Sequence, residues 1–309
     1  MDKLLVTSTG VNDIDSNPCY VFIATTSGID VFNPDYLENK AYSFIIGGCT
    51  SISVQNDRCE GDVYLGTNNS GVLGFTMDDS LSGNISGSVS GIYSYPDLVS
   101  NTVHCLSFNN EQGLAIGTSS GVTYITTSGN IYDHVFSGGV TSCMLTSSGD
   151  LYYSPTSSGV YAKYGPITSG WSSVDYMLNT SSVPALSGVY INDMEYKSTS
   201  SGNQVFLATN SGITMYDENR SNISGSYSRT IGSSLSGTTN VTGIEINTNT
   251  SVFSGSLLFS TYAIGYSGVV GEYDLVTSGV SHVYSNVDFQ STSGTEEAIS
   301  GSKLLSKGE

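Results

Sequence analysis

The feature that most constrains this chain is a short phrase that the sequence repeats: an apolar run, a Thr/Ser/Gly turn and a second apolar run that begins with Gly. Apolar runs on both sides of such a turn predict a β-hairpin, and the Gly can adopt the positive φ that a tight hairpin requires. Five clear copies and a looser sixth copy occur, at 22–32 (FIATTSGIDVF), 64–75 (YLGTNNSGVLGF), 115–125 (AIGTSSGVTYI), 153–164 (YSPTSSGVYAKY), 206–216 (FLATNSGITMY) and 260–273 (STYAIGYSGVVGEY).

The composition agrees with a protein built of short strands. Only 12% of the residues are charged, whereas Gly (36) and Tyr (21) are abundant, and this balance is the opposite of the one that disordered chains show. Segments such as DVYLGT (62–67) and GVTYIT (121–126) alternate with period two, and we find no apolar stripe of period 3.6. We therefore predict an all-β protein.

Each copy of the phrase lies between a preceding and a following predicted strand, so the repeating unit contains four strands and recurs about every 40–55 residues. Stacking such units radially buries both faces of each one, and closing the ring removes exposed ends. The sequence thus predicts a single six-bladed β-propeller over residues 1–290, with 291–309 as a C-terminal tail or closing strand. The predicted blades cover 9–48, 49–98, 99–139, 140–179, 180–235 and 236–290. Seven blades is the alternative, because segments 2–9 and 296–309 can together form another partial blade.

Three of the copies, IATTSGIDVF, IGTSSGVTYI and LATNSGITMY, resemble the blade motif of ligand-sensor and two-component-regulator propellers. In that motif a Gly-Thr turn precedes Gly-Leu or Gly-Ile and an aromatic residue. The resemblance covers about ten residues per blade and implies a propeller, but it implies no function, because a fold hosts many functions. A WD-repeat signature is missing, since the one Trp, Trp171, is not followed by Asp.

The charge of the chain excludes several partners. Its 27 acidic residues outnumber 9 basic ones, giving a formal net charge of −18. Nucleic acid and anionic membrane surfaces both require a Lys/Arg footprint, so neither is expected as a partner. Apolar runs of about five residues are far shorter than a membrane span. The first ten residues, MDKLLVTSTG, lack the apolar core of a secretory signal, so we expect no signal peptide in this chain.

Five cysteines, an odd number, occur at positions that follow no CxxC or zinc-ligand spacing. Cys105 and Cys143 fall inside predicted strands, and we expect both to be buried free thiols. Whether any of the cysteines pair is left open. The five are Cys19, Cys49, Cys59, Cys105 and Cys143.

The sequence contains no recognisable catalytic motif: no G-x-S-x-G elbow, P-loop or HExxH occurs. The three histidines, His104, His134 and His282, have no paired spacing, and a structural role is expected for them. We therefore expect no catalytic residues, no cofactor and no enzymatic activity.

One partial metal pattern is present. Asp13, Asp15 and Asn17 have the 1-3-5 spacing of a calcium loop, but Pro18 replaces the required Gly and no Glu follows at position 12. Its likeness to INDMEYK (191–197) favours a strand register over a metal site, so no metal is expected.

Two long connections follow the third strand of a predicted blade, at 77–91 (MDDSLSGNISGSVSG) and 218–228 (ENRSNISGSYS). Long loops on a rigid scaffold are frequent binding elements. The residues predicted to interact with partners are Asp78, Asp79, Asn84, Asn219, Arg220, Asn222 and Tyr227.

These features together favour a non-enzymatic structural or attachment protein of a tailed-virus virion. Such a protein reaches the exterior by lysis without a leader, and multi-blade faces suit docking in many copies. Its expected partners are other virion proteins, copies of itself and a host-surface glycan, and its expected location is the virion or the extracellular space. The alternative is a secreted or cell-surface binding propeller, of lectin or sensor type, of a bacterium. An enzyme active at the mouth of the channel is a third, less favoured hypothesis.

Overall fold

The computed structural model describes residues 11–32, 40–55, 58–77, 89–156, 159–168, 171, 173–178, 189–199, 202–218, 226–231, 240–246, 256–261, 270–274 and 279–284. Within these residues the chain forms six four-stranded antiparallel sheets and no helix. In every sheet the strands lie side by side in chain order, as in a meander. The prediction of an all-β fold is confirmed.

The strands have the following bounds. Sheet 1 contains β1 (Val11–Ser16), β2 (Val21–Thr25), β3 (Gly28–Phe32) and β4 (Lys40–Ile45). Sheet 2 contains β5 (Cys49–Val54), β6 (Gly61–Thr67), β7 (Val72–Met77) and β8 (Ser90–Tyr93). Sheet 3 contains β9 (Val103–Asn109), β10 (Gly113–Thr118), β11 (Gly121–Thr126) and β12 (Ile131–Val135). Sheet 4 contains β13 (Val140–Leu145), β14 (Leu151–Pro155), β15 (Val160–Lys163) and β16 (Tyr176–Leu178). Sheet 5 contains β17 (Ile191–Thr199), β18 (Gly202–Thr209), β19 (Gly212–Glu218) and β20 (Ser226–Ile231). Sheet 6 contains β21 (Val241–Ile246), β22 (Ser256–Thr261), β23 (Val270–Asp274) and β24 (Gly279–Tyr284).

The chain divides into two compact units. The first comprises Met1–Thr156 and Val160–Tyr176, and the second comprises Ser157–Gly159 and Met177–Glu309. In the first unit β1 lies against β5, β5 against β9, and β9 against β13, and in the second unit β17 lies against β21. Each range predicted as a blade contains the four strands of one sheet. That all six sheets belong to one ring stays a prediction.

The repeated phrase forms the hairpin between the second and third strands of its sheet. Its Thr closes the turn: Thr118 Oγ1 donates to Gly121 O (3.0 Å) and accepts from Ser120 N (3.2 Å). Corresponding bonds form at Thr25, Thr67 and Thr209. As predicted, the turn glycines have positive φ in the five described copies, at Gly28, Gly71, Gly121, Gly159 and Gly212. The turn of the sixth copy lies outside the described residues.

Apolar cores fill the space between neighbouring sheets of the first unit. All residues of β2 and β10 are buried, and β10 packs on sheet 2 through Leu114 and Ile116 and on sheet 4 through Ala115. Burial on both faces explains why such strands read as continuous apolar runs and do not alternate. Representative pairs are Phe22 and Leu65 for sheets 1 and 2, Val72 and Leu114 for sheets 2 and 3, and Ala115 and Tyr153 for sheets 3 and 4.

Gly117, in the Gly-Thr step before the turn, has no room for a side chain. A Cβ at this position would lie 2.3 Å from Cys105 Sγ and 2.8 Å from Val140 Cγ1, where sheet 3 meets sheet 4. We expect Gly117→Ala to lower the free energy of unfolding by about 1–3 kcal/mol, because overpacking forces both neighbours to shift. Chemical denaturation followed by tryptophan fluorescence measures this change, since Trp171 packs in the same core.

Gly91 provides the matched control. It also lies in a strand, but a Cβ there would meet only Leu73 Cδ2, at 4.0 Å. Gly91→Ala is therefore expected to change the free energy of unfolding by less than about 0.5 kcal/mol. Equal effects of the two substitutions would show that sheets 3 and 4 do not approach each other as described.

Candidate functional site

A β-bulge lies at the start of the first strand of every sheet. In each case the register shifts by one residue between the first and third residues of the strand. A bulge leaves its extra residue out of the ladder and redirects its side chain. The bulge residues are Asn12, Thr50, His104, Thr141, Asn192 and Thr242, and all six are polar.

Four of the six bulge side chains bond to the sheet that follows in sequence, whereas Thr141 Oγ1 donates to Ser154 O of its own sheet (3.3 Å). In the first unit, Asn12 Nδ2 donates to Cys49 O, Thr50 Oγ1 donates to Val103 O (2.7 Å), and His104 Nδ1 bonds to Val140 O (3.0 Å). In the second unit Asn192 Nδ2 donates to Val241 O (2.7 Å). Each acceptor is the carbonyl of the first residue of the next first strand. The same contact therefore occurs from sheet 1 to 2, from 2 to 3, from 3 to 4 and from 5 to 6.

Side chains further along the same strands supply the matching acceptors. Asp13 Oδ2 accepts from Ile52 N (2.9 Å), and Asp193 Oδ2 accepts from Ile244 N (3.2 Å). Both carboxylates also accept from the amide of their own following residue. Asp13 is 2% exposed, so its charge is stabilised by these amides in place of water.

Hydroxyl and carboxylate groups serve the same purpose elsewhere in the first unit. Asp15 Oδ2 accepts from Val54 N (2.8 Å), Ser53 Oγ from Phe108 N (3.0 Å), and Ser107 Oγ from Leu145 N (2.9 Å). The first strand of each sheet is an edge strand, whose outward N–H and C=O groups would otherwise lack partners. We call these sheet-to-sheet contacts edge-capping bonds.

The partial calcium pattern is explained by the same bonds. The oxygens of Asp13 and Asp15 accept backbone amides of sheets 1 and 2, as described above. Asn17 Oδ1 accepts from Cys19 N (3.0 Å) and Tyr20 N (2.8 Å) in the β1–β2 turn. The strand register that the likeness to INDMEYK favoured is the one observed. Among the described residues, no three His, Cys, Asp or Glu side chains are placed to hold a metal ion.

A disulfide joins the first two sheets at the end of their first strands that lies opposite the bulges. Cys19 lies in the β1–β2 connection and Cys59 in the β5–β6 connection, with Cα atoms 5.2 Å apart. Asn17 Nδ2 also donates to Cys59 O (3.2 Å) across the same boundary. The sequence left this pairing open, and the two cysteines were indistinguishable from the others by spacing.

The other three cysteines, Cys49, Cys105 and Cys143, are buried thiols outside any disulfide, which confirms the expectation for Cys105 and Cys143. Burial raises the pKa of the Cys49 thiol to about 12. The thiolate is the form that attacks disulfides, so Cys49 is held in its unreactive form at neutral pH.

The two described histidines serve different contacts. His104 is exposed and carries an edge-capping bond, whereas His134 lies in an aromatic cluster on sheets 3 and 4. His134 Nδ1 is 2.6 Å from Tyr153 Oη, and its ring lies near Phe136 and Trp171. Burial lowers the pKa of His134, and the positive charge of Lys163 lowers it further by a smaller amount. The side chain of His282 is not among those described.

The predicted interaction residues fall mostly outside the described residues. Asp78, Asp79, Asn84, Asn219, Arg220 and Asn222 are among these. Tyr227 lies in β20, where its Cα pairs with that of Tyr216, so the connection predicted over 218–228 ends before Ser226.

Sequence reasoning missed the bulge residues, although a signal for them exists. Aligning the first strands of the six units places VND, CTS, VHC, VTS, IND and VTG in register, with a polar residue always in the middle. The hairpin phrase lies on the second and third strands of each sheet, so it carries no information about the bulges on the first strands.

No family model matches the chain, and no curated protein matches it. Among solved structures, the chain is similar to the β-propeller domain of Cps50 (Swd1) from Myceliophteria thermophila, at 10% identity and a TM-score of 0.63, covering 90% of this chain and 87% of that one. It is also similar to the computationally designed Ika8 protein, at 12% identity and a TM-score of 0.57, covering 96% and 78% of the two chains.

At these identities the likeness shows the fold alone. The chain has an all-β, propeller-like fold, which agrees with the predicted architecture at that level. The resemblance to ligand-sensor propellers and to virion propellers stays a prediction. Among the described residues, no helix has the length and apolar character needed to cross a membrane.

Proposed function

We propose that this chain is a non-enzymatic structural and attachment protein of a tailed-virus particle. In this proposal its six sheets are the six blades of one propeller over residues 1–290. It docks in multiple copies on other particle proteins or on copies of itself, and it presents its connections to those partners or to a host-surface glycan.

The observation that carries the proposal is the use of chemically capable side chains as edge-capping bonds. A general acid, a base or a nucleophile must offer its reacting atom to a substrate. Here Asp13, Asp15 and Asp193 offer their oxygens to backbone amides. Ser53 and Ser107 do the same with their hydroxyl groups. Placed at repeated positions, these groups stabilise a rigid scaffold, which is what attachment requires.

The disulfide between Cys19 and Cys59 supports a location outside the cytosol, because disulfides persist in oxidising surroundings such as virion surfaces and the extracellular space. The same observation favours a second candidate, a secreted or cell-surface binding propeller of a bacterium. The two candidates differ in whether the protein is built into a particle.

Fractionation separates these candidates. Lysate from a culture that carries the gene is banded on a density gradient, and mass spectrometry quantifies this chain relative to the major capsid protein in each fraction. We expect several copies per particle, co-banding with capsid protein and shifting with it when the particles are disrupted. Recovery of the chain solely in the medium or on cell surfaces would favour the second candidate and would contradict the particle proposal.

A further inference from the structure

Three bulge residues of the first unit share a chemical property. Each of these residues uses a side-chain donor to bond a backbone carbonyl of the next sheet. We call the three residues, Asn12, Thr50 and His104, the acceptor row. Each side chain retains an acceptor: Oδ1 of Asn12, which also keeps a second N–H donor, a lone pair on Oγ1 of Thr50, and Nε2 of His104. Within the described residues, no hydrogen bond is donated to any of these three atoms.

The partner of His104 fixes which ring nitrogen donates. Because the Val140 oxygen is a carbonyl and can only accept, Nδ1 of His104 carries the proton, and in the uncharged tautomer Nε2 is an acceptor. Asn12 and His104 are exposed, and Thr50 between them is half-buried. Because β1, β5 and β9 lie next to one another, the row is continuous across three sheets.

A ligand for this row must therefore donate hydrogen bonds at several successive points. The protein has a net charge of −18, so a donor that is also cationic is favoured over a neutral one. We propose that the acceptor row binds an extended segment of a partner protein that bears lysine or arginine side chains. The inference goes beyond the proposed function, because it specifies the chemistry of a partner and holds whether or not the chain belongs to a particle.

The test uses substitutions that keep the edge-capping donors and remove the acceptors. Asn12→Lys and His104→Arg can each still donate to the same carbonyl, but they replace an acceptor with a positive charge. The matched control is Thr127→Lys with Ser147→Lys, which adds the same charge in the β11–β12 and β13–β14 connections. These two exposed residues lie at the opposite end of the sheets.

The probe is a short synthetic peptide of alternating lysine and serine, with an alternating glutamate and serine peptide as its counterpart. Binding is measured by titration calorimetry at low salt on the full chain, and thermal unfolding confirms that each variant is folded. We expect the wild type to bind the lysine peptide alone, the Asn12→Lys/His104→Arg variant to bind at least about tenfold more weakly, and the control variant to stay within about twofold. In the wild type, the Nε2 resonance of His104 should shift on binding.

Two outcomes overturn the inference. If the wild type does not bind the lysine peptide, the acceptor row is not a cation site. If both variants lose affinity equally, the attraction is a property of the net charge and not of the row. Neither outcome bears on the particle fractionation, so the failure of this inference and the failure of the proposed function can be told apart.

Discussion

Replacing Asp13 by Ala is expected to lower the free energy of unfolding by about 2–3 kcal/mol, because it leaves the Ile52 amide buried without an acceptor. Asp13 is 2% exposed and its carboxylate accepts from amides of both sheet 1 and sheet 2. Asp193→Ala should have a comparable effect in the second unit, where the corresponding amide belongs to Ile244. Urea denaturation of each variant measures the change.

Asp13→Asn is the informative partner of this experiment. Its amide has the same shape but retains one acceptor oxygen, so it can serve one of the two backbone amides. We expect the free energy of unfolding of Asp13→Asn to lie between that of the wild type and that of the Ala variant. A change of less than about 0.5 kcal/mol for Asp13→Ala, the range of ordinary surface substitutions, would show that the bond from sheet 1 to sheet 2 does not stabilise the fold.

Breaking the disulfide is expected to have the other large effect. Cys19→Ser should lower the free energy of unfolding by about 2–4 kcal/mol, because the bond constrains a long loop of the unfolded chain. The two cysteines are 40 residues apart and fasten sheet 1 to sheet 2 at the end remote from the bulges. Denaturation of the purified chain without reductant measures the loss.

A double substitution provides the control. Once Cys19 is replaced, the disulfide no longer exists. The free energy of unfolding of Cys19→Ser/Cys59→Ser should therefore lie at most about 0.5 kcal/mol below that of the single variant. Thiol labelling under denaturing conditions should modify three cysteines before reduction and five after it, given the free thiols Cys49, Cys105 and Cys143. Additive losses, or five labelled thiols without reductant, would contradict the pairing.

The strand pattern was predictable from the sequence because it depends on local chemistry. The hairpin phrase places Thr three or four residues before Gly, and in the structure Thr118 closes the turn that Gly121 completes. Buried second strands such as β10 are recognisable in the sequence as apolar runs. These signals lie within one hairpin, so a single sequence carries them.

The edge-capping bonds were not predictable, because they join residues far apart in sequence. Asp13 and Ile52 are separated by 39 residues, and Ser53 and Phe108 by 55. The residue type at the bulge also varies among Asn, Thr and His, since any of them can donate to a carbonyl. The spacing of Asp13, Asp15 and Asn17 resembles part of a calcium loop. Asp is the residue type used both to accept backbone amides and to bind calcium, so the spacing alone does not distinguish the two roles.

Native-state hydrogen exchange tests the central claim, that the first strands of sheets 2, 3, 4 and 6 are capped by side chains of the preceding sheet. The amides of Ile52, Leu145 and Ile244 face away from their own sheets and bond to Asp13, Ser107 and Asp193. We predict that these amides exchange as slowly as those paired within a sheet, because both must await opening of the fold. Exchange as fast as that of Gly129, an amide in the exposed turn between β11 and β12, would contradict the account.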